Sequence, residues 1–183
     1  MARHTVKNGP RREKSLPFGV VDFNENDGVV SGIAALTGNI DRDNEMFPEG
    51  AFDKTVGDHS GNFGRVPMGV DHEHGLGVTT HMEVFSRSDL PRKAREAAPD
   101  ATGGLYVSGQ AVMMGDPLET FKEIKARVKT GNPPGMSIMF WPVGKQYQEK
   151  AGGRTYTVIP EAAIDEWTIA LKKGARNTAA FVM

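Results

Sequence analysis

Apolar residues in this chain fall mostly in short runs, or alternate with polar ones, and one stretch has clear helical spacing. Val20 to Phe23 and Val29 to Leu36 are rich in branched and small residues. They are parted by Asn24-Glu25-Asn26-Asp27-Gly28, whose Asp-Gly pair suits a hairpin turn. Leu76 to Phe85 alternates, with Val78, Thr80, Met82 and Val84 on one face. Leu105 to Met113, the run after Gly135, Thr155 to Ile159, Trp167 to Leu171 and Thr178 to Val182 are further strand candidates. A loop from Thr37 leads into a short helix near Ala51 to Val56, and the polar stretch Arg87 to Asp100 reads as an exposed insertion with a helical turn or two. The strongest helix opens at Asp116-Pro117-Leu118-Glu119, with Asp116 as cap and Pro117 in the first position. Leu118, Phe121, Ile124 and Val128 make its apolar stripe, and Gly131-Asn132-Pro133-Pro134-Gly135 ends it. These elements predict a β-rich α+β domain, a sheet or barrel with a few packed helices.

Composition narrows the classes. A chain of 183 residues makes one domain, large enough to bury roughly two-thirds of its extended surface. The net charge of −1 gives no electrostatic reason to seek nucleic acid or an anionic membrane. Cysteine is absent, which removes disulfides, thiolate metal sites and a cysteine nucleophile. No run approaches the ~18 apolar residues of a membrane span. Residues 1–16 are basic and without periodicity, and lack the apolar core of a secretory signal; they read as a flexible tail before a domain spanning 17–183. A soluble, cytoplasmic protein is expected.

Several chemistries can be set aside. Asp41, Asp43 and Glu45 suggest calcium, but Met46 and Phe52 stand where an EF-hand loop needs glycine and glutamate. Met139 replaces the second glycine of a nucleophile elbow around Ser137, and no phosphate-cradling loop occurs. Two candidates remain. His72, in Val70-Asp71-His72-Glu73-His74, and Ser137, in Gly135-Met136-Ser137-Ile138-Met139-Phe140, can meet in a sheet as base and nucleophile for acyl transfer. Alternatively His72 and His74, on one face of an extended segment, join His81 in a metal-dependent hydrolase.

Taken in order, the motifs resemble those of the tailed-phage prohead maturation proteases, serine peptidases related in fold to the herpesvirus assemblins. The matching pieces are Pro48-Glu49-Gly50-Ala51-Phe52, Val66 to His72 followed by Leu76-Gly77, Gly104 to Gly109, Gly135 to Phe140, and Ile164 to Ile169 with Ala175 to Ala179. Met139 departs from the glycine common there, and Trp167-Thr168 from small or branched residues. The resemblance implies an assemblin-like single domain with Ser137 as nucleophile and His72 as general base. It implies no cofactor and no bound metal. Glu166 is the preferred third member, because Trp167, Ile169 and Leu171 would lie on the opposite face of its strand. His74 is the alternative, since the herpesvirus relatives use a second histidine, and Asp165 comes last. Scaffold and capsid-protein segments, and the chain's own termini, are the implied substrates, inside an assembling head in the host cytoplasm. Self-association as a dimer is implied, with the Leu118–Lys129 helix as a candidate contact. The end at Met183, just after the last apolar run, suggests a trimmed or self-processed form. A non-catalytic capsid-assembly component with the same fold is the main rival.

Overall fold

A computed structural model describes residues 9–16, 20–24, 27–41, 43–61 and 66–171. Its strands are β1 (Arg12–Leu16), β2 (Val20–Asn24), β3 (Val29–Thr37), β4 (Glu45–Met46), β5 (Pro67–Val70), β6 (His74–Ser86), β7 (Gly103–Ala111), β8 (Gly135–Val143), β9 (Tyr147–Ala151), β10 (Arg154–Val158) and β11 (Glu161–Ala170). Among the described residues three helices, α1 (Asp53–Ser60), α2 (Arg92–Ala97) and α3 (Gly115–Lys129), are inserted between them. Eight strands form one sheet in the order β1-β8-β11-β5-β6-β7-β3-β2, and β4-β10-β9 form a smaller one. The large sheet curls until β3 packs against β8 and β1. The result is the β-rich α+β class that the patterning implies.

Alternation explains how the central strands hold their place. On β8, Met136, Ile138 and Phe140 are fully buried and face the core. On β11, Trp167 and Ile169 do the same, and Met68 and Val70 follow on β5. Each such side chain contributes roughly 1.5–3 kcal/mol by leaving water, which fixes the register against a one-residue slip. The other face of β8 and β11 is thereby free to carry polar groups. Trp167 meets its polar need by donating its indole N–H to Thr79 Oγ1 at 2.7 Å.

Several expectations are corrected. Part of the stretch expected to be a tail, Arg12–Leu16, is an edge strand on β8. Ion pairs hold it in place of the apolar periodicity that sequence patterning looks for: Arg12 to Glu45, and Lys14 to Asp41 and to Glu45 at 2.6 Å. Burial of the Lys14 ammonium pushes its pKa below the ordinary lysine range, and the Glu45 carboxylate opposes that shift. Arg87 to Asp100 is not a bare insertion. Leu90, Ala94, Ala98 and Ala101 are buried with Ile33 and Leu36 in a second small core. Along β6 a bulge between Thr79 and His81 turns Thr79 inward and leaves Val78 exposed, which breaks the expected face. Helix α3 starts after Met114 without a side-chain cap, so Asp116 lies in its first turn instead. Its apolar stripe is used within the fold, since Phe121 and Ile124 are buried in the main core and Val128 packs on it. The run Thr178 to Val182 lies outside the described residues. No helix among the described residues is long and apolar enough to cross a membrane.

Candidate active site

The polar face of the β8–β11–β5 sheet assembles the site. Ser137 and Thr168 are direct register partners on antiparallel β8 and β11, and Met139 pairs with Glu166. Two-residue periodicity therefore places Ser137, Thr168 and Glu166 on one face, away from Trp167 and Ile138. A bulge between Ile164 and Glu166 takes Asp165 out of the ladder, which is how adjacent acids come to face differently. Glu166 sits within β11 rather than opening it, because the strand begins earlier, at Glu161. Beneath its carboxylate lies Gly69 of β5. A Cβ there would stand 2.5 Å from Glu166 Oε1 and 3.0 Å from the His74 carbonyl oxygen, so the glycine makes room for the acid.

His72 comes from the turn between β5 and β6. Asp71 (φ 51°) and His72 (φ 58°) are both left-handed, and the Glu73 N–H donates to the Val70 carbonyl at 2.9 Å. This tight reversal lays the imidazole back over the sheet. Left-handed non-glycine residues cost about 1–3 kcal/mol each and persist only when their surroundings hold them. Here the Asp71 N–H donates to the Ile169 carbonyl at 3.0 Å, and Asp71 Oδ1 accepts from the Leu171 N–H at 2.8 Å.

The side chains converge. His72 Nε2 is 2.7 Å from Ser137 Oγ, and His72 Nδ1 is 3.4 Å from Glu166 Oε2. With Nδ1 carrying its proton toward the carboxylate, Nε2 is the acceptor for the serine hydroxyl. Thr168 Oγ1 lies 3.4 Å from the same Nε2. The imidazole and Glu166 are both largely sheltered from water, where charge pairing weakens less with solvent screening.

β1 lies across this arrangement. It runs antiparallel to β8 with Ser15 opposite Ser137 and Glu13 opposite Met139. Glu13 Oε1 lies 3.5 Å from Ser137 Oγ and 3.8 Å from His72 Nε2. Arg11 reaches Asp165 at 2.7 Å and Glu166 at 3.3 Å. Ser137 is only 1% exposed as a result of this enclosure by neighbouring strands.

Of the residues singled out from sequence, Ser137, His72 and Glu166 come together. Asp165 is paired outward with Arg11. His74 stands in solvent, 75% exposed, with Nε2 3.8 Å from Glu73, and His81 pairs with Glu83 on the outside of β6. No group of His, Asp and Glu side chains among the described residues is arranged to hold a metal ion, so the three-histidine alternative has no geometric support. Sequence reasoning missed Arg11 and Glu13, which lie in the apparent tail, and Thr168. The last was legible: it follows Glu166 by two residues, and so shares its face in any strand.

No protein-family model and no curated protein matches the chain. Among solved structures it is similar to the bacteriophage T4 capsid assembly protease, gp21, at a TM-score of 0.54 and 12% sequence identity, over 88% of this chain and 97% of that one. At that identity the likeness establishes a shared fold.

Proposed function

We propose that this chain is a serine endopeptidase acting in the maturation of phage heads, with Ser137 as nucleophile, His72 as general base and Glu166 as the carboxylate that orients the imidazole. The observation that carries the reading is the 2.7 Å contact between His72 Nε2 and Ser137 Oγ, with Glu166 on the far ring nitrogen. A serine hydroxyl is a weak nucleophile until a neighbouring base takes its proton. As Oγ attacks a peptide carbonyl, His72 Nε2 takes the hydroxyl proton and Glu166 offsets the charge of the imidazolium. Collapse of the tetrahedral species breaks the C–N bond, and the proton passes from Nε2 to the leaving amine. Water then attacks the acyl-serine with His72 again as base, which returns the free hydroxyl and releases the acid. Backbone amides beside the reacting carbonyl would supply the oxyanion stabilisation.

An extended peptide lying along the edge of β8 would present its carbonyl to Ser137, a mode that uses strand pairing for affinity. β1 takes that edge, so it must leave before substrate arrives. The likeness to a capsid assembly protease supports scaffold and capsid-protein segments as substrates, the chain's own termini among them, and an assembling head as the place of action. Dimerisation remains part of the proposal as a means of restraining activity until assembly.

Loosening β1 without touching the triad tests the covering role directly. Arg12 and Lys14 project to the face opposite Ser137, where they pair with Glu45 and Asp41. Arg12→Ala/Lys14→Ala is expected to raise the rate at which a fluorophosphonate labels Ser137 about tenfold or more. An unchanged rate would mean that β1 does not limit access. The same variant, incubated with a proteome-derived peptide library and read by mass spectrometry of new termini, is expected to cleave peptides. Cleavage should be insensitive to a metal chelator and lost in Ser137→Ala; chelator sensitivity, or persistence without Ser137, would count against the assignment.

A further inference from the structure

Among the described residues, Asp71 is the buried acid beside the proposed triad that the proposed chemistry leaves without a task. It is 5% exposed, immediately precedes His72, and shares with it the left-handed backbone of the β5–β6 turn. Its side chain turns back to the end of β11, where Oδ1 accepts the Leu171 N–H at 2.8 Å while its own N–H donates to the Ile169 carbonyl at 3.0 Å. Leu171 is held from its other side, since its carbonyl accepts from Arg127 of α3 at 3.1 Å. We infer that Asp71 is a positioning residue that ties the turn bearing His72 to the strand bearing Glu166 and Thr168, and so sets the imidazole between its two partners. This rests on the serine peptidase reading and deepens it.

The physical argument has two parts. A turn with consecutive left-handed non-glycine residues needs external restraint, and aspartate tolerates that backbone better than most side chains. The restraint must also be aimed. Glu166 and Thr168 are fixed in the β11 ladder, so a bond from the His72 turn to residues 169 and 171 makes the ring's position a function of the same strand. Misplacement of a reacting group by about 1 Å can cost on the order of 100-fold in rate. A carboxylate that removes such slack acts on catalysis without touching substrate.

Three variants of the full chain, built on Arg12→Ala/Lys14→Ala, separate positioning from simple stability. Asp71→Asn keeps an acceptor oxygen and the left-handed preference, and is expected to label with fluorophosphonate within about threefold of its parent. Asp71→Gly keeps the backbone freedom but loses the bond to Leu171. It should label at least tenfold more slowly, lower kcat for peptide hydrolysis with KM little changed, and lose the downfield His72 N–H proton resonance. Asp71→Glu displaces the oxygen by one methylene and supplies the same comparison if the glycine variant does not fold. Equal labelling of the glycine or glutamate variant and its parent overturns the inference, as does an asparagine variant as slow as the glycine one. Either result leaves the peptidase reading standing, whereas a folded parent whose Ser137 takes no label overturns both.

Discussion

Ser137→Ala and His72→Ala are each expected to lower peptide hydrolysis by about 10⁴- to 10⁶-fold, and the double variant to be no more than about threefold worse than either. Non-additivity is the informative part. In the proposed mechanism the base has no proton to take once the serine is gone, and the serine, 2.7 Å from Nε2 in the intact protein, becomes an ordinary alcohol once the base is gone. What survives is the residual rate from backbone donors and substrate binding, roughly 10³- to 10⁴-fold over water in such systems. Steady-state rates of the four proteins on one cleaved peptide make the comparison. Losses that multiply would mean that the two residues act independently, and the relay would have to be abandoned.

Glu166→Gln should have the next largest effect, a loss of about 10²- to 10⁴-fold in kcat. An amide in place of the carboxylate can offer its N–H to Nδ1, which selects the tautomer with the proton on Nε2 and denies the serine its base. Geometry favours the lower end of that range, because the 3.4 Å contact from Nδ1 is long for a hydrogen bond. Such contacts commonly shorten only when substrate is bound and the ring takes its proton. Gly69→Ala should act in the same direction, since its Cβ would crowd Glu166 Oε1 at 2.5 Å. Gly75→Ala is the control, with open space around its Cβ. Circular dichroism of each variant separates lost orientation from lost fold. Full activity of both Glu166→Gln and Gly69→Ala would remove Glu166 from the mechanism.

The strands of the core were readable because burial of one face imposes a period of two that survives without knowledge of partners. Ile138, Phe140, Trp167 and Ile169 announce their strands in this way, and Ser137 and Glu166 acquire a face by subtraction. The bulges were not readable. An extra residue near Thr79 or at Asp165 is set by strand pairing, a long-range property, and it reverses which side chains face inward. β1 was hidden for a related reason: its hold on the sheet comes from Arg11, Arg12 and Lys14 meeting acids far along the chain, and charged residues near a terminus look alike whether paired or solvated. Asp71 was passed over because its proposed role rests on a bond to Leu171, a hundred positions away.

Mass-spectrometric mapping of the fluorophosphonate adduct tests the relay most directly, since it asks whether one hydroxyl in the folded chain is made nucleophilic by one imidazole. In Arg12→Ala/Lys14→Ala, the adduct should fall on Ser137, and it should vanish when His72→Ala is added. A folded protein that carries the adduct elsewhere, leaves Ser137 unmodified, or labels Ser137 as fast without His72 would contradict the account.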